Sequence, residues 1–119
     1  MTGDSKPFDL SYLLQVFQGN KTLVIEIVEL FLQQVPEYVR LMELHVKEGN
    51  HAAIHPLAHK SKSSTSMLGL KSIESLLLEI ELNGKAGNYE NLPAKVHALS
   101  EQISHCAMEL RAYLDSQQK

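Results

Sequence analysis

Residues Lys21 to Glu48 read KTLVIEIVELFLQQVPEYVRLMELHVKE, and this stretch decides the fold. Val24, Ile27, Val28, Phe31, Val35, Tyr38, Val39, Met42 and Val46 recur at steps of three and four. That spacing draws one apolar stripe along an α-helix; a strand would alternate its faces every second residue. Pro36 falls inside the stripe. A mid-helix proline loses one backbone hydrogen bond and costs about 3 kcal/mol, so a kink or an opened turn is expected there. Asn20 is suited to cap the start of the helix, and Gly49 to take a left-handed conformation at its end.

The same periodicity extends in both directions. Upstream, Asp9 to Phe17 predicts a short helix with Leu10, Leu13, Leu14 and Phe17 on one stripe, stopped by Gly19-Asn20. Downstream, a third helix is predicted from His51 to about Leu68, capped by Asn50 and ended by Gly69. Pro56 lies in its second turn, so the helix is expected to be regular only from Pro56 onward. A fourth helix spans about Lys71 to Lys85, with Asn83-Gly84 and Gly87-Asn88 marking a fraying end. A fifth begins near Pro93 and carries Val96, Leu99, Ile103, Cys106, Ala107, Leu110, Tyr113 and Leu114. No run alternates in the manner of a strand. The fold class is therefore all-α: an antiparallel up-down four-helix bundle with a short additional N-terminal helix. One domain is expected over residues 1–119, with residues 1–7 and 116–119 as flexible tails.

Composition excludes several functions. Of 119 residues, 44% are hydrophobic and 21% charged, the balance of an ordinary globular domain rather than a disordered chain. A chain this long buries roughly two thirds of its unfolded surface and needs no disulfide or metal staple. Its one cysteine, Cys106, lies on an apolar stripe and has no partner in the chain. A net charge of −3 with 11 Lys and Arg leaves no basic footprint for nucleic acid. No apolar run approaches the roughly 20 residues of a membrane span. Met1 to Pro7 lacks the apolar core of a signal peptide, so a cytoplasmic location is expected.

The chemistry concentrates in residues 57–70, LAHKSKSSTSMLGL. The segment should be helical, yet it is crowded with serine, a mediocre helix former. Such a conflict between propensity and required state is expected at functional sites. On a helical wheel Ile54, Leu57, Ala58, Ser61, Thr65 and Leu68 form the core face. His55, His59, Lys62, Ser63 and Ser66 form a neighbouring polar face, with Lys62 and Ser63 one turn beyond His59. A neutral imidazole is a competent nucleophile near pH 7. An ammonium beside it suits a transferring phosphoryl group, and small serines leave room for a partner surface. No Walker motif or kinase glycine loop is present, so no autonomous ATP-dependent kinase activity is expected. No acid–base constellation accompanies the histidine in the sequence, so the remaining machinery is expected from another protein.

Ala58-His59-x-x-Lys62-Ser63-Ser64, followed by Leu68-Gly69-Leu70, resembles the signature of histidine-containing phosphotransfer (HPt) domains. That signature reads His-x-x-Lys-Gly-Ser, with Leu-Gly after a short gap. The order and lengths of the helices resemble the family as well. The resemblance implies a bundle that relays phosphoryl groups between aspartates of response-regulator receiver domains, as an intermediate with no bound cofactor of its own. His59 would be the phosphoryl acceptor through Nε2, and Lys62 would help neutralise the phosphoryl group. Ser63 would take the place of the usual small glycine. Glu81 resembles a recurrent acidic position of structural role. Magnesium would come from the partner receiver, and a hybrid sensor histidine kinase would stand among the partners. Three positions depart from the pattern: Ser61 stands where leucine is common, Ser63 replaces glycine, and Pro56 precedes His59 by three residues.

Other readings stay open on sequence alone. His51, His55 and His59 recur every four residues, a metal-ligand spacing. Three histidines along one straight helix do not converge on one ion, however, and no nearby acid completes a shell, so no metal site is assigned. His55 reads instead as a neighbour whose protonation would disfavour charge on His59. A helical docking module without transfer chemistry, and a His-rich metal-binding bundle, are the alternatives. One bundle suffices to bury these stripes, so a monomer is expected.

Overall fold

The computed structural model describes residues 8–117. Five helices follow in order: α1 (Ser11–Val16), α2 (Lys21–Glu48), α3 (Ile54–Met67), α4 (Lys71–Lys85) and α5 (Leu92–Gln117). No strand occurs among the described residues. A 3-10 turn at His51–Ala53 leads into α3. Helix α2 packs on α3 and α5, and α4 packs on the same two, so four helices close a ring. Short connections make successive helices antiparallel. The 28 residues of α2 span about 42 Å at 1.5 Å each, which accounts for most of the 45 Å long dimension. Among the described residues no helix is long and apolar enough to cross a membrane.

The predicted stripes meet in the interior. Phe31 and Met42 of α2, Ile54 of α3, Leu77 and Ile80 of α4, and Leu99 and Leu110 of α5 are fully buried in one continuous core. Asn20 caps α2, its side chain accepting from the Leu23 N–H at 3.3 Å, and Gly49 closes the helix in the left-handed region. Pro36 leaves the Leu32 carbonyl without its usual donor, yet α2 continues through it as one helix.

Several boundaries differ from the sequence expectation, each for a local reason. The first helix starts at Ser11 rather than Asp9, because the Asp9 carboxylate accepts the Ser11 N–H at 2.9 Å and turns the backbone before the helix begins. Leu14, expected on its buried stripe, is exposed. Asn50 makes no side-chain cap; the 3-10 turn carries the chain into α3 instead. Helix α3 is regular from Ile54, and Pro56 occupies its first turn, where a missing N–H leaves no helical bond broken. Asn83-Gly84 is not a fraying end: α4 runs to Lys85 and Gly84 is buried within it. Ser116 and Gln117 are the last residues of α5 rather than part of a tail. Residues 1–7 and 118–119 lie outside the described residues.

Two features of this fold place α3 against its neighbours. A Cβ built on Gly84 would stand 2.6 Å from the Cβ of His55, so only glycine permits the approach of α4 to α3. At the α3–α4 turn, Gly69 has φ +66°, and a Cβ there would meet the Asp9 carbonyl oxygen at 2.6 Å. The Asp9 N–H donates to the Leu68 carbonyl at 2.9 Å, so the N-terminal segment is strapped across that turn.

Candidate functional site

The serine-rich composition of α3 is resolved by its own backbone. Ser61 and Thr65 are fully buried, and their hydroxyls donate to the carbonyls one turn back, Leu57 at 2.9 Å and Ser61 at 2.6 Å. Polar side chains can therefore face the core without an unsatisfied hydroxyl. Being small, they also add little bulk to the buried face of α3.

The close approach brings Glu81 of α4 to the polar face of α3. Its side chain is only 3% exposed, and it collects the site. Oε1 accepts from Lys62 Nζ at 2.7 Å, while Oε2 lies 2.6 Å from Nδ1 of His59 and 3.5 Å from Nζ of Lys85. The Lys62 hydrogen bond outweighs burial and, with the His59 hydrogen bond and the charges of Lys62 and Lys85, pulls the Glu81 carboxyl down to about 2. It is therefore ionised at neutral pH and can only accept. The proton between it and His59 must sit on Nδ1, so a neutral His59 carries its lone pair on Nε2. The His59 side chain is 67% exposed, which leaves the ring open to a partner.

The surroundings are asymmetric. On one side a groove of about 320 Å³ is lined by His55, Pro56, His59, Lys60, Glu81 and Lys85. On the other, Ser63 and Ser64 line a groove with Ile27, Leu30 and Met67, in which Leu30 is half exposed.

His59 and Lys62 are thus brought together by the structure, and Ser63 stands exposed on the same helix, facing the second groove. The absence of an acid–base partner, expected from sequence, is corrected: the partner is Glu81, 22 residues away in sequence. Lys85 was missed altogether. Its signal was its position four residues after Glu81 on the predicted fourth helix, one turn along the same face. The three histidines at four-residue spacing do not act together. His51 stacks on Tyr89 with centroids 5.3 Å apart, His55 packs on Gly84, and only His59 meets Glu81. No group of three or more His, Cys, Asp or Glu among the described residues is arranged to hold a metal ion. Cys106 is buried, and burial pushes its thiol up to about 12, away from reactivity.

An Hpt domain family model matches residues 26–118, most of the chain and all of this site. The chain belongs to the Hpt family. The function of this Hpt domain is accordingly histidine phosphotransfer in a phosphorelay, with response-regulator receivers as the class of partner. Among solved structures, the crystal structure of histidine-containing phosphotransfer protein B (HptB) from Pseudomonas aeruginosa PAO1 is similar at 15% identity. It covers 95% of this chain and 98% of its own, with a TM-score of 0.84. At that identity the likeness establishes a shared fold. A search of curated proteins gave no match.

Proposed function

We propose that His59 is the phosphoryl acceptor of this Hpt domain and that the attacking atom is Nε2. The observation that carries the proposal is the 2.6 Å contact between Nδ1 and a carboxylate that is ionised at neutral pH. It fixes the tautomer that leaves a lone pair on the exposed side of the ring. In the step, Nε2 attacks the phosphorus of a receiver's aspartyl phosphate in line. The Nε2–P bond forms, the P–O bond to the aspartate breaks, and the aspartate leaves as a carboxylate. No proton leaves Nε2, because it holds none. The ring keeps its Nδ1 proton and becomes cationic, and the Glu81 carboxylate beside it stabilises that developing charge. Transfer to a second receiver is the same step reversed.

Lys62, 32% exposed, is the cation that neutralises the phosphoryl oxygens. Ser63 keeps the face of α3 low, and the groove shared with Ile27 and Leu30 offers a receiver apolar surface beside the histidine. Magnesium belongs to the receiver: Glu81, the buried carboxylate next to His59, is already occupied by Lys62, His59 and Lys85. The domain works as a single unit and as a monomer, with a hybrid sensor histidine kinase upstream.

The test is transfer from a receiver loaded with a small acyl phosphate, followed by the stability of the label. The expected product is acid-labile and alkali-stable, and it is absent from His59→Gln, which keeps its helical circular dichroism. Stable labelling of the His59→Gln protein overturns the assignment.

A further inference from the structure

Glu81 holds two lysines, and the acceptor reading, on which the following rests, gives a task only to one. Lys62 is hydrogen-bonded to Oε1 at 2.7 Å and is the strongest influence on the carboxylate. It cannot stay there at full strength and also turn to the phosphoryl oxygens. If it left without replacement, a carboxylate that is 3% exposed would lose its main counterion, and removing one partner of a buried pair is costly. Lys85 stands ready for that moment. It lies four residues after Glu81 on the same helix, is 57% exposed, and is 3.5 Å from Oε2, too far for a hydrogen bond. A rotamer change alone closes the gap, with no movement of the backbone. The charges favour the same arrangement. A phosphorylated site with a fully ionised phosphoryl group, a cationic ring, Glu81 and Lys62 carries one net negative charge, and Lys85 brings it to neutrality.

We propose that Lys85 is a positioning residue for phosphotransfer: it takes over the Glu81 carboxylate when Lys62 turns to the phosphoryl group on His59. Lys85 acts through Lys62 and does not touch the phosphoryl group itself. Its effect therefore depends on Lys62 being present, and its charge matters more than its shape.

The test uses the full chain and a phosphorylated receiver, with the transfer rate measured across receiver concentrations. Lys85→Gln is expected to lower the saturating rate about fivefold, the upper range for an exposed ion pair, and to leave the half-saturating receiver concentration unchanged. Lys85→Arg restores the rate. In a Lys62→Gln background, where there is no Lys62 to release, Lys85→Gln lowers the saturating rate by less than it does in the wild-type protein. A wild-type rate in Lys85→Gln, failure of Lys85→Arg to rescue, or an equal loss in the Lys62→Gln background overturns the proposal. A second measurement needs no phosphorylation: in Lys62→Gln the ammonium protons of Lys85 should become slow to exchange by NMR, and unchanged exchange also overturns it. If the wild-type protein takes up no label, the acceptor reading fails by itself, and the handover stands or falls on the ammonium signal.

Discussion

At the scale of single residues, Glu81 sets the acid behaviour of the domain as well as its chemistry. Its carboxyl is lowered from 4.5 to about 2 in the folded chain. Between those values the unfolded chain binds more protons than the folded one, so stability falls as pH falls. The contribution of Glu81 is complete above about pH 5 and is lost as pH drops toward 2. Asp9 and Glu37 are also lowered, by hydrogen bonds from Ser11 and Arg40, and add to the slope of the wild-type protein. The comparison that isolates Glu81 is with Glu81→Gln. This variant is expected to be less stable than wild type at pH 7 and to lose less stability on acidification. Urea unfolding at a series of pH values measures both curves, and parallel curves would remove the role assigned to the buried carboxylate.

At the scale of elements, the decisive contact is α3 on α4. The helices themselves were legible: the stripe of α2, the Asn20 cap and the limits of α4 follow from spacing and end signals in the sequence. So were His59 and Lys62, because residues three apart on one helix share a face whatever the rest of the chain does. Glu81 as a partner was not legible, since nothing in a helical wheel says which turn of α4 lies opposite which turn of α3. That register depends on Gly84, which reads in sequence as a helix breaker and acts in the fold as a contact point. The two roles make opposite forecasts for Gly84→Ala. At an exposed helical position the change would stabilise by about 1 kcal/mol through propensity. Against His55, with 2.6 Å available to the new Cβ, it should instead destabilise by about 1–3 kcal/mol, as overpacking does. It should also slow phosphotransfer, because pushing α4 away from α3 lengthens the His59–Glu81 contact. Urea unfolding and the transfer rate of the same preparation decide the sign.

At the scale of the whole molecule, the bundle separates what holds it together from what reacts. Its end opposite the 3-10 turn is closed by the N-terminal segment: Asp9 bonds to Leu68, and Phe8 sets its ring edge-on to Tyr113 of α5 at 6.2 Å. The strap explains why a helix as short as α1 persists, since six residues cannot support a helix alone. It meets the α3–α4 turn at Gly69, ten residues after His59, which is about 15 Å at the helical rise. Gly69→Ala combines a left-handed backbone with a collision against Asp9, so a loss of about 1–3 kcal/mol is expected. The site should not register it. His59, Lys62 and Glu81 are held by the packing of α3 on α4, whose close approach is set where His55 meets Gly84, turns away from the strap. In the Gly69→Ala protein the urea midpoint should fall, while the transfer rate per folded molecule stays at the wild-type value. A matching drop in that rate would show that the strapped end and the reactive face form one mechanical unit.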